Sequence, residues 1–209
     1  MRFKNREEAG KLLGKELLSY NFENPIVFGI PRGGIIVAYE VSKILKAPLS
    51  TIIVSKIPAY FDGEYGIGAI TEDGTIILRE NIDEDDLNKI VETLKDKIKK
   101  RVELYRNGKD IEELNNKTAI IVDDGIATGE TILAAIKTIK IKKPEKIVVA
   151  VPVSSIDAKY RIEREVDYFI SLYTPENFYA VSMFYEDFEQ VEDDYVINIL
   201  KKGEDDERI

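Results

Sequence analysis

Two adjacent carboxylates, Asp123 and Asp124, close the apolar run "AIIV", and the seven residues that follow, Gly125, Ile126, Ala127, Thr128, Gly129, Glu130 and Thr131, are mostly small or hydroxylated. Little side-chain bulk lets successive backbone N–H groups close around an oxyanion, and a helix starting at the end of such a turn adds partial positive charge there. The loop therefore suits a phosphate. Two carboxylates beside it would repel that phosphate, so they must serve an uncharged part of the same ligand: sugar hydroxyls, or a metal ion bound to them. Glu130 would repel the phosphate too, and its side chain is expected to turn to solvent. A lone D-D-G would more simply read as a helix cap. The full order, apolar strand, D-D-G-x-A-T-G-x-T, then helix, is far more specific.

A second loop of the same kind follows the first apolar strand. In "GIPRGG" (29–34) Arg32 offers a forked donor to a diphosphate, and Gly33 and Gly34 let the backbone approach it closely. A plain turn with an exposed arginine is the rival, and the aspartate motif downstream tips the balance toward binding. Lys56 is read at the end of the next strand, on the same edge, where it can reach a diphosphate. No G-x-x-x-x-G-K-[ST] is present, and the nearest approach to G-x-G-x-x-G, at Gly66-Ile67-Gly68, does not precede a helix. "EDGT" (72–75) lacks the aspartate of a phosphatase motif and reads as a turn.

Composition narrows the chemistry further. The chain has no cysteine and no histidine, which removes disulfides, thiolate and imidazole metal sites, and Ser-His-Asp or Cys-His catalysis. Any metal is then held by oxygen, which points to magnesium. A net charge of -9 argues against a chain whose main task is gripping duplex nucleic acid. The charged runs at 95–109 and 137–146 read as solvated helix faces rather than an RNA-binding patch. No apolar run is long enough to cross a bilayer, and the charged, helix-patterned start is unlike a signal peptide, so the protein is expected in the cytoplasm with no membrane partner.

These groups are positioned by alternating strands and helices. Apolar spacing predicts helices over 6–20, 34–45, 83–105, 131–141 and 156–164, and strands over 25–30, 49–55, 118–122, 146–151 and 168–172, with a last strand near 195–200 and a frayed end after it. The order is that of an α/β fold: an open, mostly parallel sheet with helices on both faces. One domain, 1–209, is expected. It carries a flexible loop or hairpin insertion at 56–82 and an aromatic segment at 173–190, "YTPENFYAVSMFYEDFEQ".

With these motifs in place, the chain resembles the type I phosphoribosyltransferases, and among them a group of uncharacterised predicted members. "VDDGIATGET" is similar to the family's loop for phosphoribosyl pyrophosphate (PRPP). The resemblance implies that Asp123 and Asp124 hold the ribose hydroxyls and magnesium, and that Gly125, Ile126, Ala127, Thr128, Gly129 and Thr131 wrap the 5-phosphate. Pro31, Arg32, Gly33 and Gly34 would bind the pyrophosphate. Arg32 and Lys56 would assist catalysis, 56–82 would form the lid with Arg79 as a minor candidate, and 173–190 would form a hood over the base. Tyr179 would stack on that base, Phe178 would replace it if the register slips by one, and Glu186 would be the nearby acid. The activity implied is transfer of ribose 5-phosphate from PRPP to a nitrogenous base with release of pyrophosphate, in a homodimer. Ala127 stands where 6-oxopurine members carry an aspartate, which puts hypoxanthine and guanine in doubt. The alternative is a PRPP-, nucleotide- or RNA-binding regulator that keeps the fold without turnover.

Overall fold

The computed structural model describes residues 2–59 and 66–206. Five strands form one parallel sheet in the order β2-β1-β6-β7-β8: β1 (Pro25–Gly29), β2 (Leu49–Thr51), β6 (Thr118–Val122), β7 (Lys146–Val153) and β8 (Tyr168–Tyr173). Because strand side chains alternate between faces, each strand feeds two cores. Val27, Ile120, Val122, Val148 and Ala150 meet Leu13 and Leu17 of α1 (Arg6–Leu17) and Val37, Ala38 and Val41 of α2 (Gly33–Leu45). Phe28, Ala119, Ile121, Val149 and Val151 meet the inner residues of α4 (Glu130–Ile141) and Ala158 and Ile162 of α5 (Ile156–Ile162). The expected parallel sheet with helices on both faces is therefore the observed fold. β1 and β6 are neighbours, and the helices that follow them leave to opposite faces, the topology that in open α/β sheets sets a ligand crevice at the carboxyl edge.

The apolar run 49–55, expected as one strand, serves two sheets. After β2 the chain crosses over, and β3 (Val54–Pro58) pairs antiparallel with β4 (Gly66–Thr71), which pairs with β5 (Ile76–Leu78). Ile52 and Ile53 are both buried but belong to different cores. Thr51, Ile52, Ile53, Val54 and Ser55 are all buried, so the run carries no sign of where one sheet ends and the other begins.

The hairpin at 72–75 is present as expected, with Gly74 at φ +84°. The segment expected as a flexible insertion is, where described, a packed wall. Val54 and Ala69 face the core of α4, while Ile57, Ile67 and Ile70 face α3 (Glu84–Arg106) and α6 (Asp193–Asp206). Asp73 Oδ1 accepts hydrogen bonds from Thr75 N at 3.0 Å and from the Thr138 hydroxyl of α4 at 3.1 Å, tying the turn to the main body. The glycine-rich part of the expected lid, 60–65, lies outside the described residues.

The expected last strand near 195–200 is instead the helix α6, which also takes in residues 201–206 of the expected frayed end. Val196, Ile199, Leu200 and Gly203 are its buried positions, and Asp193 and Asp194 occupy its first turn. That spacing of three, four and seven residues is helical, and the acids favour the positive end of the helix dipole.

Candidate functional site

β6 is buried along its whole length and ends by delivering Asp123 and Asp124 into the crevice. The chain then turns so that Ile126 pairs in a bridge with Ser154, its N–H donating to Val153 C=O at 2.9 Å. The next three carbonyls are clamped from the side of α5. Ile126 C=O accepts from Ser155 N at 2.9 Å, Ala127 C=O from Ser155 Oγ at 2.5 Å, and Thr128 C=O from Arg161 Nη1 at 2.8 Å. In a planar trans peptide the N–H points opposite to the C=O. Fixing these carbonyls outward therefore aims the N–H groups of Ala127, Thr128 and Gly129 back into the crevice, where they meet no acceptor among the described residues. Gly129, at φ +93°, closes the turn and starts α4 in a backbone region that favours glycine. The result is a concavity of oriented amides at a helix N-terminus, the standard arrangement for holding an anion.

Glu130 departs from expectation. It is 4% exposed and pairs with Arg161 at 2.8 Å rather than facing solvent. Burial alone would raise its carboxyl, but hydrogen bonds from Thr128 and Arg161 outweigh that and hold it below its ordinary value of 4.5. Its charge is thus answered within the protein, by Arg161 and by the Thr128 side chain.

The two acids at the strand end are not equivalent. Asp124 Oδ2 accepts from Arg6 Nε at 2.8 Å, its backbone carbonyl accepts from the Tyr185 hydroxyl at 2.6 Å, and its N–H donates to Asp123 Oδ1 at 2.8 Å. Burial raises the Asp124 carboxyl, and Arg6 opposes the rise. The direct contact of Arg6 is to Asp124 rather than Asp123; burial and then the Asp124 charge push the Asp123 carboxyl well above the ordinary range, against a smaller opposing effect of Arg6. A carboxylate in that position calls for a cation or a hydroxyl donor. No group of three or more acids among the described residues could cage a metal. Paired carboxylates that supply only part of a coordination shell do fit magnesium, which keeps water and ligand oxygens around it.

The loop Pro31-Arg32-Gly33-Gly34 lies directly against these acids, and its Pro31–Arg32 peptide is cis. A Cβ added at Gly34 would stand 2.7 Å from Asp123 Oδ1 and 2.9 Å from its Cα, and one at Gly33 would stand 2.7 Å from Arg6 Nε. The glycines are required by the contact between the two loops. Arg32 Nη1 lies 3.4 Å from Glu192 and 3.9 Å from Asp193, at the start of α6. Lys56 stands elsewhere than expected. It sits inside β3 opposite Ala69, in the second sheet, with its stem across Gly66. Arg79 donates to Gly66 C=O at 3.2 Å and pairs with Glu80.

The hood is held chiefly by the first residues of the chain. Phe3 N–H donates to Phe184 C=O, Glu186 N–H donates to Phe3 C=O, both at 2.8 Å, and Arg6 Nη1 donates to Glu189 C=O at 2.9 Å. Val181 covers Gly125, where an added Cβ would meet its side chain at 2.6 Å. Phe178 packs on Phe184 at 5.3 Å between ring centroids, Tyr179 is 80% exposed, and Glu186 is exposed. Arg6, Ser155, Arg161, Val181 and Tyr185 were not singled out from the sequence. Arg6 did leave a signal: it lies one turn before Ala9 on the face that continues to Leu13 and Leu17, and a charge on the inner face of a helix marks a buried partner.

A family model described as "Phosphoribosyl transferase domain" matches residues 4–189. Two Mycobacterium tuberculosis proteins, of strains CDC 1551 / Oshkosh and H37Rv, carry provisional names as phosphoribosyl transferases. Each is 35% identical over 207 residues, which cover 96% of this chain and 47% of the relative. The chain thus spans about half the length of the curated relatives it matches. The crystal structure of TT1426 from Thermus thermophilus is similar over 97% of this chain and 99% of that one, with 35% identity and a TM-score of 0.81.

Proposed function

The chain belongs to the phosphoribosyl transferase family, and from that premise we propose that it moves ribose 5-phosphate from PRPP to a nitrogenous base and releases pyrophosphate. One observation carries the reading. Three oriented amides, of Ala127, Thr128 and Gly129, stand beside a partly buried acid pair that a second, glycine-bearing loop touches directly. Read as phosphate, sugar and diphosphate subsites, these three features follow the order in which PRPP carries those groups.

In this reading the amides of 127–129 hold the 5-phosphate, with Gly125, Ile126 and Thr131 completing the loop. Asp123 and Asp124 accept hydrogen bonds from the ribose hydroxyls and would be the protein's ligands for magnesium. That ion, when bound, supplies charge neutralisation at the diphosphate. Pro31, Arg32, Gly33 and Gly34 receive the diphosphate, and Arg32 must leave Glu192 and Asp193 to do so. The bond from ribose C1 to the diphosphate oxygen breaks with its electron pair leaving on oxygen, and a ring nitrogen of the base forms the new bond to C1. The transition state has oxocarbenium character, so the protein's task is to position groups and stabilise charge. Carboxylates at the ribose hydroxyls would do both. Lys56, in the second sheet, is retained as an assisting cation, and Tyr179 or Phe178, with Glu186, as the contacts to the base. No helix among the described residues is long and apolar enough to cross a membrane. A cytoplasmic homodimer belongs to the same proposal and is read by light scattering and cell fractionation.

The test is incubation with PRPP, magnesium and a panel of bases while pyrophosphate release is followed. Release with at least one base other than hypoxanthine or guanine is expected. Saturable PRPP binding with no release for any base would replace the transferase with a PRPP-binding regulator.

A further inference from the structure

The guanidinium of Arg6 is held at three points. Its Nε donates to Asp124 Oδ2 at 2.8 Å, its Nη1 donates to Glu189 C=O at 2.9 Å, and its Cζ lies 3.7 Å from the centroid of the Phe188 ring. The residue is 8% exposed, so little water competes for those contacts. A planar fork of this kind cannot tilt at one partner without disturbing the others, which a lysine ammonium could do freely. One partner is the acid pair at the sugar subsite and the other two are the last residues of the hood.

Among the described residues, the remaining hydrogen bonds that tie down the hood do not involve the Asp124 carboxylate. Phe3 and Lys4 bond the hood through main-chain groups, Arg2 Nε donates to Tyr185 C=O at 3.2 Å, and the Tyr185 hydroxyl reaches the Asp124 carbonyl rather than its carboxylate. Among the described residues, Arg6 is the side chain that bonds both the Asp124 carboxylate and the hood. Anything that fixes the free oxygen of Asp124 fixes the plane of the carboxylate, hence the plane of the guanidinium, and hence residues 188 and 189. Resting on the transferase reading above, we infer that Arg6 is a positioning residue that couples occupation of the sugar subsite to ordering of the hood. The coupling is a shift in order rather than a change of fold, and it is visible as slowed amide exchange.

Hydrogen exchange followed by mass spectrometry tests it, on the whole chain with and without saturating PRPP and magnesium. In the wild type, ligand slows exchange at 125–131 and at 178–190, by about fivefold or more in the hood. In Arg6→Gln the loop at 125–131 is still protected by ligand, while the ligand-dependent difference in the hood is lost. Arg6→Lys keeps the charge opposite Asp124, so the loop at 125–131 is still protected by ligand, but without the fork it too loses the hood response. A merely structural arginine would speed hood exchange equally in both states and leave the ligand-dependent difference in place. Hood protection that survives in both variants overturns the coupling while leaving the transferase reading intact. Absence of protection at both segments in the wild type removes the donor site and the coupling together. If Arg6→Gln fails to fold by circular dichroism, Arg6→Lys decides alone.

Discussion

The loop after β6 and the hood lie over the same pair of acids, yet they are built in opposite ways. The loop is contiguous: Asp123 to Thr131 supply acids, amides and helix start, and α5, the next helix in the chain after α4 and β7, clamps its carbonyls. The hood, 173–190, is held by the first residues of the chain, and Arg2 and Arg6 reach across 183 residues to Tyr185 and Glu189. A site made of neighbours is fixed by local geometry. A site made of distant residues is fixed by the fold, and it loosens when one remote contact is lost. The donor side should therefore tolerate change in the hood, and the hood should not tolerate change at the N-terminus.

The largest effect is expected at the acids. Asp123→Ala with Asp124→Ala should lower PRPP affinity at least about 100-fold by calorimetry, ~3 kcal/mol. Asp123→Asn alone should lose donor binding too, yet raise the melting temperature of the unliganded protein by about 2–4 °C, the shift that ~1 kcal/mol brings in a chain of this size. The reason is that it removes a carboxyl whose charged form is disfavoured by desolvation and by the Asp124 charge, with Arg6 opposing only in part. Unchanged donor affinity in both variants would break the comparison at its root.

A smaller effect sharpens it. Arg161→Ala leaves the Glu130 carboxylate without its cation and frees the Thr128 carbonyl. PRPP affinity should fall about tenfold, ~1.4 kcal/mol, as one amide loses its aim. Stability should fall by about 1–2 kcal/mol, less than for a fully buried pair because Arg161 is partly exposed. The sign of the pH dependence follows from the lowered Glu130 carboxyl. A depressed value contributes stability that is complete above the ordinary 4.5 and is lost as pH falls below it, so the wild type should lose more stability than the variant between about pH 5 and about pH 3. Acid titrations of the melting temperature for both proteins measure this.

The smallest effect belongs to the hood tip. Tyr179→Ala should leave PRPP affinity unchanged and raise the KM for the accepted base about five- to tenfold, the scale of one aromatic contact of ~1 kcal/mol. A fall in PRPP affinity of the same size would show that the two regions are not separable in this way.

The same contrast governs what was legible in the sequence. The parallel sheet was readable because apolar runs and helical spacing alternate along the chain, and the acid motif was readable because its chemistry is contiguous. The crossover at Ile52 and Ile53 was not, since adjacent buried residues carry no mark of the core they enter. Helix α6 was mistaken for a strand because aromatic and β-branched residues at 195–197 outweighed the period of Val196, Ile199, Leu200 and Gly203. Glu130 was placed in solvent because its partner, Arg161, is 31 residues away in a helix whose docking no local pattern announces. Tyr185 is one of several aromatics in its segment, and nothing local marks it as the buried one that bonds Asp124.

The central claim is tested most directly by a crystal of this protein soaked with PRPP and magnesium. The account predicts the 5-phosphate within hydrogen-bond distance of the amides of Ala127, Thr128 and Gly129, with the ribose hydroxyls at Asp123 and Asp124 and the diphosphate against Gly33 and Gly34. A crevice left empty at saturating PRPP, or a phosphate seated elsewhere with these amides unoccupied, would contradict it.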